Sequence, residues 1–356
     1  MLDTTDLLCR LIATPSVSRQ EDCTADIVQY ALESEGVVVR RIYNNIWALQ
    51  PGYDSSKPTL LLNSHHDTVK PSPAYTRDPF KPDLEGGRIY GLGSNDAGAS
   101  VVSLMWLFLQ YYHEDLPFNL VLAITAEEEV MGEKGMRAML PHFKESGVDI
   151  DMVLVGEPTG MQPAVAERGL VVLDCVSHGV TGHAARCEGV NAIYKAMDDI
   201  EKLRNFKFEQ TSEVLGDITL QITQIEAGTQ HNVVPAECRW VVDVRTTDAY
   251  TNEQTVMLLQ GAVESDLTPR STRVHASVIE RSHPLVKAAE AIGGKPFVSP
   301  TTSDMALMYG LPSLKMGPGQ SSRSHSADEY VVESEIDEAK ILYKKFIEEL
   351  AKILKR

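Results

Sequence analysis

Three adjacent glutamates, Glu127, Glu128 and Glu129, follow the apolar run NLVLAIT with no basic residue beside them. Like charges held this close raise one another's pKa unless a cation sits among them. Residues of matching chemistry recur along the chain: His65 and Asp67 in SHHDTV, Asp96 in GSNDAG, Glu157 in GEPT and His325 in SRSHSADEY. Imidazoles with several carboxylates and no thiolate form a borderline-hard donor set, suited to zinc, cobalt or manganese. Two such ions a few ångströms apart need a shared carboxylate, and together polarise a carbonyl and generate hydroxide. One further carboxylate, beside the ions but not bound to them, could take the proton from water.

Taken singly, each fragment has an ordinary explanation. A glutamate run after a strand can complement the positive end of a helix, GEPT fits a turn, and an imidazole in a serine-rich loop can simply face solvent. Their joint occurrence at predicted strand ends is what favours a site.

The elements that must position these residues are visible in the hydrophobic pattern. Helical periodicity covers residues 3–13 and 24–34, the second closed by Gly36. Strand-like runs follow at VVVRRI, IWALQ and TLLLN, then a helix at GASVVSLMWLFLQYY, a strand at NLVLAIT, a helix near GEKGMRAML and a strand at MVLV. Long apolar strands separated by helices predict a three-layer α/β domain with a buried, largely parallel sheet. The C-terminal ends of parallel strands share one edge, where ligands bind. SHHD, EEE and GEPT each follow a strand, so three of the groups are expected to converge there. GSND precedes a helix, and SRSHSADEY follows a glycine-rich GPGQ turn that could reach the same edge.

Between about 164 and 277 the texture changes. LVVLDCVSH, ITLQITQI and CRWVVDVR alternate with period two, interleaved with helical patterns at 191–203 and 252–265. That predicts a half-exposed sheet with helices on one face. From about 283 the α/β character returns, ending in a charged amphipathic helix at 333–355. The expected organisation is a catalytic domain in two parts, 1–163 and 278–356, around an inserted α+β domain at 164–277.

The totals exclude several classes. The chain has 356 residues and a net charge of −17, from 50 acids against 33 bases. Such a balance repels nucleic acid and anionic membrane, so neither is expected as a partner. The longest apolar run, VVSLMWLFL, is too short to span a bilayer, and MLDTTDLLCR places acids where a secretion signal needs positive charge. A cytoplasmic protein is expected. Five scattered cysteines without a C-x-x-C pair suggest reduced thiols.

In this order, HHD, GSND, AEEE, GEPT and SHSADEY resemble the signature of the co-catalytic metal amidohydrolases. That family includes acetylornithine deacetylase, succinyl-diaminopimelate desuccinylase and related aminoacylases and carboxypeptidases. The resemblance spans essentially the whole chain. It implies a metallo-exopeptidase-like α/β/α catalytic domain, an inserted ferredoxin-like lid through which the chain closes and forms a homodimer, and two divalent ions, zinc or cobalt. By position it implies that His65 and Glu157 hold one ion and that Glu129 and His325 hold the other, with Asp96 bridging. Glu128 would be the general base, Asp67 would orient His65 from behind, and Glu127 would be peripheral. The chain departs from the family around Asp96: Leu92 and Gly98 stand where Arg and Lys are common.

The resemblance adds candidates outside the ligand set. His183, in GVTGHAARCEG, matches a histidine that related enzymes supply from the partner subunit to the tetrahedral oxyanion. Asn232 and Arg245 match positions that hold substrate carboxylate or amide groups. Apart from the resemblance, Arg323 lies close to His325 in sequence, where it could meet a substrate carboxylate or equally stand exposed. The function implied is removal of an N-acyl group, acetyl or succinyl, from the α-amino group of ornithine or a related amino acid. Chain length and GEPT look most like acetylornithine deacetylase, in arginine biosynthesis. A desuccinylase of diaminopimelate, an acyl-lysine or acyl-citrulline deacylase and a dipeptidase share the same metal centre. A catalytically inactive binder of amino-acid derivatives is disfavoured by the intact Glu128 and ligand positions. A dinucleotide-binding fold is disfavoured by the lack of a G-x-G-x-x-G turn after the first strand.

Overall fold

The computed structural model describes residues 2–355. The chain divides into two compact units: one runs to Val165 and resumes at Val278, and the other is Ala166–Ser277. In chain order the elements are α1 (Thr4–Ile12), α2 (Asp22–Ser34), β1 (Val39–Ile42), β2 (Asn45–Leu49), β3 (Thr59–His65), β4 (Asp83–Glu85), β5 (Arg88–Tyr90), α3 (Ala99–Tyr111), β6 (Asn119–Thr125), α4 (Met136–Glu145), β7 (Met152–Val155) and β8 (Ala164–Glu167). The second unit adds β9 (Gly169–His178), β10 (Gly182–His183), α5 (Ala192–Asn205), β11 (Thr219–Ala227), β12 (Val233–Val234), β13 (Glu237–Thr246), α6 (Asn252–Ala262) and β14 (Asp266–Pro269). The chain returns through β15 (Ser277–Val278), α7 (Pro284–Ala291), β16 (Phe297–Ser299), β17 (Ser313–Lys315), β18 (Tyr330–Val332) and α8 (Glu333–Leu354).

In the first unit the strand order begins β1-β2-β6-β3-β7-β17. The four strands from β6 to β17 are parallel, whereas β1 and β2 pair antiparallel with each other and β2 pairs antiparallel with β6. The sheet is therefore mixed, less parallel than the hydrophobic pattern suggests. Only residues 43 and 44 connect β1 to β2, and a parallel crossover needs a dozen or more.

Every residue of β3 and β6 is buried, and the period of two sends alternate side chains to opposite faces. Leu60, Leu62, Leu120, Leu122 and Ile124 join a core built with α1, α2, α3 and α8. Leu61, Val121 and Ala123 join a second core with Met136, Met139 and Phe143 of α4. Two cores separated by one sheet make the three layers. The helix expected near GEKGMRAML starts only at Met136, because Gly135 (φ −88°, ψ −136°) before it is outside helical geometry.

In the second unit, β11-β13-β9-β14 form an antiparallel sheet. Val171, Leu173 and Cys175 of β9 and Trp240, Val242 and Val244 of β13 point to one face, where Ala192, Ala196 and Leu203 of α5 and Leu259 of α6 cover them. A separate two-stranded ribbon pairs β10 with β12. Among the described residues no helix is long and apolar enough to cross a membrane.

Candidate metal centre

Because β6, β3 and β7 are adjacent and parallel, Thr125, His65 and Val155 finish at one edge. Short hydrogen bonds fix the chain just beyond them. His66 N donates to Thr125 O at 2.9 Å and Gly156 N to Asn63 O at 2.7 Å, while Ser64 Oγ donates to Gly156 O at 2.8 Å. The backbone thus delivers His65, the three glutamates and Glu157 to the same place. Asp96 arrives from the segment before α3, and His325 from the loop before β18.

His65 Nδ1 lies 3.0 Å from the Asp67 carbonyl oxygen, to which it donates. Its Nε2 faces Asp96 Oδ1 at 3.3 Å, Glu157 Oε1 at 3.5 Å and Glu128 Oε2 at 3.8 Å. At the far end His325 Nε2 stands 3.0 Å from Glu129 Oε2 and 3.6 Å from Asp96 Oδ2. Asp96 therefore turns one oxygen toward each histidine. Donor atoms of His65, Asp96 and Glu129 all lie within 4.8 Å of one another.

The titration behaviour follows from this crowding. Burial alone would keep the His65 imidazole neutral, but the Glu128 charge and hydrogen bonds to Asp67 and Asp96 hold its pKa well above the ordinary value. Burial, with the Asp96 charge adding to it, pushes Glu157 up to about 8. Burial also raises Glu128 well above the carboxylate range, the Glu157 charge contributing. The hydrogen bond to Glu129 lifts His325 to about 9. Raised carboxylates among raised imidazoles describe an excess of negative charge. A mixed nitrogen and oxygen donor set of this kind fits divalent cations such as zinc or cobalt.

Asp67 is more than a support for His65. Its Oδ1 accepts from Glu128 N at 3.0 Å, and its Oδ2 accepts from Glu129 N at 3.2 Å and from Ser18 Oγ at 2.7 Å. One buried carboxylate thus aims both glutamates by holding their amides. Glu127 faces away: its Oε2 accepts from Lys134 N at 3.1 Å, and its own N donates to Glu21 Oε1 at 3.3 Å. The departure at residue 98 has a steric reason. A Cβ there would stand 2.4 Å from Gly93 O and 2.7 Å from Leu8 Cδ1, so no side chain fits. Leu92 is buried at 5% exposure.

Beside the cluster lies a cavity of about 360 Å³, whose walls include Thr159, Ser299, Thr301, Gln320 and Ser321. Lys315 of β17 also lines it and donates through Nζ to Thr301 O at 2.8 Å. Sequence reading passed over Lys315, Asp304 and Glu329. Asp304 is buried and accepts from Thr125 Oγ1 at 2.8 Å, and burial, with the charge of Asp67 adding to it, pushes it up to about 6. Its only local signal is a Ser-Asp pair opening a short helical turn, which reads as a cap.

The remaining candidates lie outside this cluster's own donor set. Three belong to the second unit. His183 and Asn232 are brought together there, with Ala184 N donating to Asn232 O at 3.1 Å and His183 Nδ1 accepting from Ala185 N at 3.2 Å. Arg245 lies on β13 and makes a two-point pair with Asp243 at 2.8 and 3.1 Å. Arg323 is already paired within the first unit. It is close to His325 in sequence, but its guanidinium is committed to Glu335 at 2.7 and 3.1 Å and lies over the Tyr330 ring at 4.5 Å. It ties the loop to the start of α8.

Comparison with known proteins agrees with this geometry. The model of peptidase family M20/M25/M40 matches residues 61–349. Succinyl-diaminopimelate desuccinylase of Xylella fastidiosa is 28% identical, covering 98% of this chain and 99% of the relative. The enzyme of the same name from Stenotrophomonas maltophilia is 29% identical, covering 97% and 98%. Among solved structures, aminopeptidase PepT of Bacillus cereus superposes with a TM-score of 0.76 at 19% identity, covering 98% of both chains. A dinuclear metal-binding M20 peptidase of Bacillus subtilis gives 0.71 at 16% identity, covering 99% of this chain and 98% of its own.

Proposed function

Because the chain belongs to peptidase family M20/M25/M40 and is a hydrolase of that family, we propose that it removes an N-acyl group, succinyl foremost, from an amino acid. The observation that carries this reading is the arrangement of Asp96, one oxygen toward each histidine, with Glu128 beside it and the polar cavity alongside. His65 and Glu157 would hold one divalent ion, zinc or cobalt, and Glu129 and His325 the other, with Asp96 between them. Bound there, such ions would supply polarisation of the amide carbonyl and a water of lowered pKa. Glu128 accepts the proton of that water and returns it to the leaving nitrogen. Asp67 keeps Glu128 and Glu129 aimed through their amides.

The desuccinylase relatives, matched along nearly their whole length, support diaminopimelate as the amino acid ahead of ornithine. The acetylornithine reading and its place in arginine synthesis stand second. His183 is proposed as the oxyanion donor and Asn232 and Arg245 as substrate contacts, in a lid that dimerises.

The test is amine release from N-succinyl-diaminopimelate, N-succinylornithine, N-acetylornithine and N-acetylcitrulline by the cobalt-loaded chain. Turnover of a succinyl substrate is expected, with Glu128→Gln slower by about 10²–10⁴-fold at unchanged metal content. Turnover of acetylornithine alone would move the reading to a deacetylase. Silence across the panel with metal bound would overturn the deacylase reading in favour of a dipeptidase. His183→Ala is expected to lower turnover and leave metal content intact.

A further inference from the structure

Glu329 is 2% exposed, and its side chain faces backbone. Its Oε1 accepts from Asn95 N at 2.8 Å and Asp96 N at 2.9 Å, and its Oε2 accepts from Gly93 N at 3.1 Å. Its carbonyl oxygen accepts from Gly91 N at 2.9 Å. Four amides of residues 91–96 therefore end on one glutamate. Asp96 has φ −119° and ψ 97°, outside helical geometry, so these amides are not drawn into the α3 ladder.

The segment is rich in glycine. Glycines at 91, 93 and 98 carry the largest backbone entropy to lose on folding. A Cβ at Gly93 (φ 76°) would meet Thr68 Cγ2 at 2.6 Å, so a stiffer residue cannot replace it. Glu329 also sits four residues after His325. Asn95 stitches the same two segments again, its Oδ1 accepting from Gln320 N at 2.9 Å and its Nδ2 donating to Gln320 O at 3.1 Å.

We infer that Glu329 is a positioning residue: by gathering the amides of Gly93, Asn95 and Asp96, it sets where the Asp96 carboxylate stands between His65 and His325. The inference rests on the reading of Asp96 as the shared metal ligand. Glu329 is not one of the donors of the cluster, and it holds Asp96 through backbone amides. An oxygen-to-amide exchange is enough to disturb it, because a glutamine NH2 would face an amide N–H that needs an acceptor.

The experiment is cobalt(II) titration of the metal-free full-length chain, read by calorimetry and visible absorption, with urea unfolding in parallel. Wild type, Glu329→Gln, Glu329→Ala and Asp96→Asn are compared. Outer partners of metal ligands are worth about 10–100-fold in affinity, and weakening of that size is expected for Glu329→Gln, with an altered cobalt spectrum. Glutamine is nearly isosteric, so this variant decides the matter should the alanine variant not fold. Wild-type cobalt affinity and spectrum in Glu329→Gln, whether or not urea stability falls, would overturn the positioning role while Asp96→Asn still loses cobalt. Wild-type cobalt binding by Asp96→Asn would overturn the ligand reading itself, and the inference with it.

Discussion

The end of β3 sends two histidines into opposite surroundings. His65 and His66 are consecutive and both buried, at 1% and 6% exposure. His65 faces the carboxylates of the metal centre. His66 faces the other way, its Nε2 2.9 Å from Asn44 O and its Nδ1 2.8 Å from Thr24 Oγ1. Carboxylate charge overcomes burial at His65 and raises its pKa, whereas burial prevails at His66 and lowers it to about 4. Burial alone therefore predicts nothing about a histidine; the field of its neighbours decides. One side of the strand end is held by charge awaiting a cation, and the other by neutral hydrogen bonds.

The largest expected effect separates the two sides directly. His65→Ala is expected to lose metal and to cost more than the about 10–100-fold typical of outer partners, whereas His66→Ala keeps its metal content and loses on the order of 1–3 kcal/mol of stability. Metal analysis with urea unfolding checks both, and equal metal loss would erase the contrast. Chelation should likewise stop turnover and lower Tm, since ions that bind only the folded chain stabilise it.

Next comes Asp67, which lies behind the charged side and holds two amides of the glutamate turn. Asp67→Asn places an NH2 against those N–H groups and is expected to cost about 1–3 kcal/mol and to slow turnover about 10–100-fold. Unchanged kcat with lowered stability would reduce Asp67 to scaffolding.

The neutral side makes a pH prediction. The folded pKa of His66, about 4, lies below the ordinary 6.5. The unfolded chain therefore takes up the proton first. The stability tied to a neutral His66 is complete above pH 6.5 and is lost as pH falls toward 4, up to the order of 3 kcal/mol. His66→Gln cannot titrate, so its unfolding free energy should fall less steeply across that window. Parallel curves would show that His66 does not report its surroundings in this way.

The smallest effect concerns Arg323. Its pair with Glu335 is partly exposed, so Arg323→Ala should cost about 0–1 kcal/mol and leave KM unchanged. A raised KM would return Arg323 to the substrate site.

Much of the layer structure was legible because it depends on local pattern. The division of β3 and β6 side chains between two cores follows from the period of a strand, and apolar runs of that length have few other fates. Parallel order then carries SHHD, EEE and GEPT to one edge. The antiparallel edge at β1 and β2 was less legible, since strand direction turns on a two-residue connection rather than on hydropathy. Gly98 looked like a lost side chain, and only packing against Gly93 O explains it.

The sequence by itself determined the kinds of donor available, their order and the strands that carry them, all properties of neighbouring residues. Tertiary structure alone decided that Arg323 belongs to Glu335 and that Glu329 ends on the amides before α3. Those pairings join residues as far as 236 positions apart. A hydrogen bond or a charge acts over a few ångströms of space, and distance along the chain does not enter it.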